Sequence, residues 1–259
     1  MSLDFPKADA ILQTPVFPDY RYKGLRRKPR PLTENYAYSE IGNDILKNLS
    51  TDAFLEIEPF LQHVNIKKGQ TIFGIGDAID SVYFPNDCVA SRIALTEDGA
   101  TVEVGMIGRE GVWGVRALFG AADANYQTVA ETSGSALKIS ALTLKMLAER
   151  NPELQSSLVK FYESLLRQVS QRAVCRCRHT IRQQLSAWLL EFMEKARTNK
   201  LCITQEKIAQ RLGTRRASVT VAVSELQAKE IVRCERGCVI ILDPSALEVH
   251  ACECLRTED

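Results

Sequence analysis

The chain has 259 residues, 45% of them hydrophobic and 25% charged, with a formal net charge of +1. That balance excludes a disordered polyelectrolyte and leaves room for two hydrophobic cores. No stretch approaches the roughly 18 uninterrupted apolar residues of a membrane span, and the start MSLDFPKADA lacks the apolar segment of a signal peptide, so a cytoplasmic protein with no membrane partner is expected.

Charge is unevenly placed. Residues 175–259 carry 14 Lys and Arg against 11 Asp and Glu, whereas residues 41–174 carry 12 against 16. An acidic centre joined to a basic C-terminal part suits a sensor linked to a nucleic-acid reader. Residues 1–40 include the basic run Arg21 to Arg30 and five prolines, and predict a mobile extension.

From residue 41 a short helical piece, ILKNLSTDAFLEIEPFL, leads into many short strands punctuated by glycine: Val64 to Ile66, Thr71 to Phe73, Val82 to Phe84, Ala90 to Leu95, Thr101 to Ile107, then Thr128 to Ala130 and Ala136 to Ile139. This spacing predicts a jelly-roll β-barrel over 41–150. Asn151-Pro152 is a helix start, with Asn as cap and Pro in the first turn. The helix it opens, 151–178, carries Leu154, Leu158, Phe161, Leu165 and Val169 at near-heptad spacing, a seam expected to join two copies of the chain.

Residues 179–259 complete an α+β chain. Leu185, Trp188, Leu189, Phe192 and Met193 form the wide apolar stripe of a core helix. Thr204 is placed to cap a first short helix that ends at Gly213, and Thr214 to cap a second. Ile231 to Arg233 and Val239 to Leu242 flank the turn Glu235-Arg236-Gly237 as a β-hairpin. Two helices, a tight turn and a hairpin make a winged helix-turn-helix. Arg215, Arg216, Ser218 and Thr220 then face a major groove, while Thr204, Gln205, Thr214 and Arg236 lie at the helix starts and the wing, where phosphates run.

No catalytic constellation accompanies these elements. Three scattered histidines cannot build the histidine-rich metal centre of an enzymatic jelly roll, and no P-loop or nucleophile elbow occurs. The eight cysteines form no paired C-x-x-C ladder: Cys175 and Cys177 point to different sides of a helix, and Cys252-x-Cys254 stands alone at the C-terminus. No metal, cofactor or disulfide is expected.

A glycine-punctuated roll, a seam helix and a winged helix in this order resemble the Crp/Fnr family of bacterial transcription regulators. The strings VNIKKGQTIFGIGD, VYFP, GREGVWGVRALFG and ITQEKIAQRLGTRRASVTVAVSELQ carry the likeness over residues 45–255. It implies a homodimer on a palindromic operator in double-stranded DNA, working with RNA polymerase, and an effector site formed by Trp113, Gly114, Val115, Arg116, Asn125 and Tyr126. Departures are specific. The family's phosphate-holding Arg and ribose-holding Glu have no counterpart at Trp113-Gly114-Val115 or at either Ala124-Asn125 or Asn125-Tyr126, with Arg116 and Arg109 the nearby substitutes, so cAMP is not expected as effector. No cysteine precedes Cys88, which argues against the family's iron-sulfur cluster, and His63, His179 and His250 do not resemble haem ligands. In the reader Arg216 matches the family's first arginine, but Ala217 and Val221 replace its Glu and second Arg, which implies a different operator. The competing expectation is a ligand- or redox-sensing interaction protein whose winged helix reads no DNA.

Overall fold

The computed structural model describes residues 41–254; the expected extension over 1–40 lies outside the described residues. Two short helices, α1 (Asp44–Lys47) and α2 (Thr51–Ile57), precede seven strands: β1 (Gln62–Ile66), β2 (Thr71–Phe73), β3 (Ser81–Pro85), β4 (Ala90–Leu95), β5 (Thr101–Ile107), β6 (Gln127–Ala130) and β7 (Gly134–Ser140). They pair as two antiparallel sheets, β1-β7-β3 and β2-β6-β4-β5. Side chains alternate as a half-buried strand requires, so Val82 and Phe84 of β3 face inward to meet Ile139, Trp113 and Leu144. The roll that the strand spacing predicted is present.

Helix α3 (Ala141–Arg150), not anticipated from the sequence, leads to α4 (Pro152–Arg178). The Asn151 carboxamide accepts from the Leu154 amide at 3.0 Å, and Pro152 occupies the first turn, as the sequence signals. The expected use of the α4 seam needs correction. Leu154, Leu158 and Leu165 are buried in the core of their own roll, Phe161 packs on that core and Val169 is half-buried. Each leucine already gains about 1.5–3 kcal/mol from that burial, so none needs a second chain. The large apolar residues that α4 exposes are Val159, Leu166 and Val174.

A capping box between Thr180 and Gln183 starts α5 (Ile181–Ala196), followed by β8 (Lys200–Leu201), α6 (Gln205–Leu212), α7 (Arg216–Ala228), β9 (Val232–Glu235), β10 (Cys238–Ile241) and α8 (Pro244–His250). Leu185, Trp188, Leu189 and Phe192 of α5 pack with Ile208, Leu212, Val219, Val223 and Leu226 in a second core, which also takes in Val89 and Met106 of the roll. β8, β10 and β9 form a three-stranded sheet. Its register sets Leu201 opposite Val239 and so brings together Cys202 and Cys238, which are joined as a disulfide; this corrects the expectation of free thiols throughout.

Charged groups cross the joint between the two cores. Glu103 of β5 is fully buried and meets Arg172 of α4 at 3.2 Å, while the Trp188 Nε1–H of α5 donates to it at 2.9 Å. Arg172 also pairs with Glu191 at 2.7 Å. Arg176 donates to the backbone carbonyls of Arg211 (2.8 Å) and Leu212 at the end of α6, and Arg211 pairs with buried Glu131 at 2.6 Å. Burial pushes the Glu103 carboxyl above its ordinary range, against the pull of Arg172.

Candidate nucleic-acid interface and sensing pocket

The helix-turn-helix is built by two local devices. The Thr204 hydroxyl accepts from the Lys207 amide at 3.2 Å and starts α6. Gly213, at φ +62°, ends it, and the Thr214 amide reaches back to the Ala209 carbonyl at 3.0 Å. That return bond ties Thr214 into the termination of α6, so Arg215, not Thr214, occupies the N-cap position of α7 and offers no side-chain cap. Val219, Ala222, Val223 and Leu226 turn inward, which leaves Arg215, Arg216, Ala217, Thr220, Val221 and Ser224 exposed on the other side, with Ser218 half-buried.

Gln205 and Thr220 lock the two helices together through a 2.8 Å bond from the Thr220 hydroxyl to Gln205 Oε1. Arg216 lies 4.0 Å from Glu206, both exposed. In the hairpin Arg236 (φ +41°) and Gly237 (φ +79°) form a two-residue turn with positive φ at both positions, the geometry that matches the twist of paired strands. Gly237 sits beside Thr204: a Cβ on it would lie 3.9 Å from Thr204 Cγ2. The wing tip, the start of α6 and the first turns of α7 therefore share one continuous surface, and Arg236 is exposed on it.

A pocket in the roll is lined by all six residues marked from the sequence, together with Phe73, Ile79, Arg92 and Leu165. Their roles differ. Trp113 is buried and its indole N–H donates to the Ile107 carbonyl at 3.2 Å, a structural bond, while Val115 is equally buried. Gly114 has φ +86°, and a Cβ there would meet the Ser81 carbonyl at 2.9 Å, so only glycine fits. Arg116 is held by Asn125 Oδ1 and the Asp123 carbonyl.

Arg92 is the residue that reading the sequence missed. It lies on β4 in the register of an ordinary strand, with nothing local to mark it. Its guanidinium stacks 4.6 Å from the Tyr126 ring centroid, its Nη1 is buried without a hydrogen-bond partner, and burial lowers its pKa from the ordinary arginine value. The pocket thus contains a buried cation, Arg92, besides the Arg116 marked from the sequence, and no carboxylate among its lining residues.

The expectation of no metal-ligand set is also corrected, because the fold brings Cys175, His179, Cys252 and Cys254 together at the end of α4. Cys175 Sγ lies 3.5 Å from Cys252 Sγ, and the contact between the two thiols holds the Cys252 pKa below and the Cys175 pKa above the ordinary thiol value.

Residues 63–151 match the model of the cyclic nucleotide-binding domain, and residues 183–249 match that of the Crp-like helix-turn-helix domain, together more than half of the chain. A global nitrogen regulator from a Nostoc species is 22% identical over 213 residues, covering 79% of this chain and 93% of that protein. FixK2 from Bradyrhizobium japonicum superposes with a TM-score of 0.63 at 17% identity, over 74% of this chain and 98% of that one. TTHA1359 of Thermus thermophilus, a transcriptional regulator, gives a TM-score of 0.63 at 23% identity, over 73% and 98%. No helix among the described residues is long and apolar enough to cross a membrane.

Proposed function

The chain is a transcriptional regulator of the Crp/Fnr family, and we propose that it acts in the cytoplasm as a homodimer reading a two-fold symmetric duplex site, with a small anionic effector in the roll pocket setting its affinity and RNA polymerase as its partner at promoters. The observation that carries this reading is the continuous exposed surface of α7, the start of α6 and the wing. Arg215 and Arg216 project from the end of α7 that would enter a major groove, with Ser218 and Thr220 behind them. Thr204, Gln205, Thr214 and Arg236 flank them at the height of the phosphates. Regulators of this family bind DNA as dimers, and the exposed Val159, Leu166 and Val174 of α4 supply a stripe that a parallel α4 pair would bury. The working division is a roll at 41–150, a pairing helix at 151–178 and a reader at 179–259.

An anionic effector follows from Arg92, since a buried guanidinium with an unused donor is a charge-assisted partner for a phosphate or carboxylate. Electrophoretic shift of duplexes selected from a random pool tests the core of the proposal. Expected is a palindromic motif with half-sites about one helical turn apart and an affinity that falls steeply with salt. Selection of no motif, or binding indifferent to salt, would overturn it.

A further inference from the structure

We propose that Cys175, His179, Cys252 and Cys254 form a closed tetrahedral site for a zinc ion that pins the C-terminal tail to the end of α4. Nothing in the reader or the roll pocket requires this cluster.

The four donor atoms come from two distant parts of the chain. Cys175, in the last turn of α4, and His179, the residue that caps its end, are four residues apart and start from the same side, as i and i+4 positions do. Cys252 and Cys254 lie just beyond α8, past the extended Ala251 that ends it. All four donors fall within 4.8 Å of one another; Cys175 Sγ to Cys252 Sγ and Cys254 Sγ to His179 Nδ1 are each 3.5 Å. Zinc bonds of about 2.3 Å to sulfur and 2.0–2.1 Å to nitrogen imply donor separations of about 3.5–3.8 Å in a tetrahedron, so only a small contraction is needed. Thiolates with one imidazole suit zinc rather than calcium or magnesium, and four protein donors leave no open position, the mark of a structural site.

Supporting contacts point the same way. Glu253 Oε1 lies 3.2 Å from His179 Nε2, which holds the proton on that nitrogen and turns the Nδ1 lone pair toward the sulfurs. Gln171 Nε2–H donates to Cys254 Sγ at 2.9 Å. Cys252 and Cys254 are buried. The binding step is balanced: Zn²⁺ replaces the protons of three thiols, three protons leave, and the site carries one net negative charge beside Gln171.

The test uses the full chain purified under reducing conditions, stripped with a chelator and titrated with zinc or cobalt(II) alone. Expected are one zinc per chain by elemental analysis, and the thiolate charge-transfer and visible bands of tetrahedral cobalt. Cys252→Ser/Cys254→Ser and His179→Ala should lose both signals, whereas Cys177→Ser, on the same helix but outside the cluster, should keep them. Because Glu253 is exposed, Glu253→Ala should fold normally yet weaken zinc at least roughly tenfold in a competition assay. Substoichiometric metal in the wild type, tight metal retained by the double serine variant, or a Cys175–Cys252 disulfide as the stable state of the reduced, metal-supplied protein would overturn the site. Metal content is read without DNA, so its failure leaves the proposed operator binding standing.

Discussion

Replacing Arg172 with Met removes the cation shared by Glu103 and Glu191 while keeping most of the side-chain volume. Glu103 is fully buried and the Glu191 side chain is 8% exposed, so neither carboxylate has water to fall back on. Breaking a buried pair from one side costs about 3–5 kcal/mol. At about 2–4 °C per kcal/mol for a chain of this size, Tm should fall by about 6–20 °C. The loss should depend on pH. Burial raises the Glu103 pKa and Arg172 opposes that rise, so without Arg172 the folded-state value climbs further above the unfolded one. A carboxyl raised in the folded state binds more protons there, and stability falls as pH rises from the ordinary glutamate range to the folded pKa. Arg172→Met should therefore be least harmful at acid pH and most harmful above neutrality. Adding Glu103→Gln should recover part of the loss, because the neutral amide's Oε1 can still accept from the Trp188 indole N–H while its Nε2 donates to the Ser91 hydroxyl oxygen. Calorimetric or denaturant unfolding at two pH values reads all of this. A loss below about 1 kcal/mol at both, or one that grows toward acid pH, would refute the claim that the joint is held by buried charge.

Arg216→Ala should cost roughly 1–3 kcal/mol on the selected site and relax preference at one base pair of each half-site, whereas Arg236→Ala should weaken all duplexes alike and flatten the salt dependence; binding selections with both variants check the two roles. Leu166→Glu should give monomers of normal stability by light scattering, while Leu158→Glu should destabilise the fold by burying a charge; dimers surviving in Leu166→Glu would remove α4 as the interface. Neither cAMP nor cGMP should act as effector, because no lining carboxylate is present to hold a ribose; calorimetry showing micromolar cAMP affinity with a change in DNA binding would reverse that conclusion. Arg92→Met should abolish the response to whichever anion does act, measured as ligand-dependent DNA affinity.

The reader was legible because its information is local. A cap at Thr204, a glycine at 213 and a two-residue turn at Arg236-Gly237 each determine backbone geometry within four residues. The roll was legible for the same reason, and α8 could have been: Asp243-Pro244 is a cap followed by a first-turn proline, and the Asp243 carboxylate does accept from the Ala246 amide at 2.9 Å. What local pattern does not carry is which partner a face meets. Leu154, Leu158 and Leu165 have the spacing of an intermolecular seam, yet a helix packed on its own roll needs the same stripe. Arg92 is one residue of an alternating strand, and Cys175 and Cys252 are separated by 77 positions. Only the tertiary arrangement shows that one enters a pocket and the others meet.

The joint between pocket and reader carries an unusual energetic burden. Arg92 Nη1 and Gln168 Oε1 are both buried without a hydrogen-bond partner among the described residues, and both lie over Gly105, where a Cβ would come within 3.7 Å of the first and 2.9 Å of the second. Each unpaired group costs about 1–3 kcal/mol. On its other side Gln168 donates to Glu191 at 3.1 Å, and Glu191 holds the Arg172 that holds Glu103. From Arg176 the contacts continue to the carbonyls that end α6. A ligand engages such a joint only through a difference in affinity between two arrangements, and moving a population from 1:99 to 99:1 takes about 5.5 kcal/mol. An anion can satisfy only the Arg92 donor, since Gln168 Oε1 is itself an acceptor, and that would supply about 1–3 kcal/mol, a part of the total. The unused Arg92 donor is where an anion in the pocket would bind, with Gln168 standing between it and the ion pairs that seat the reader on the roll.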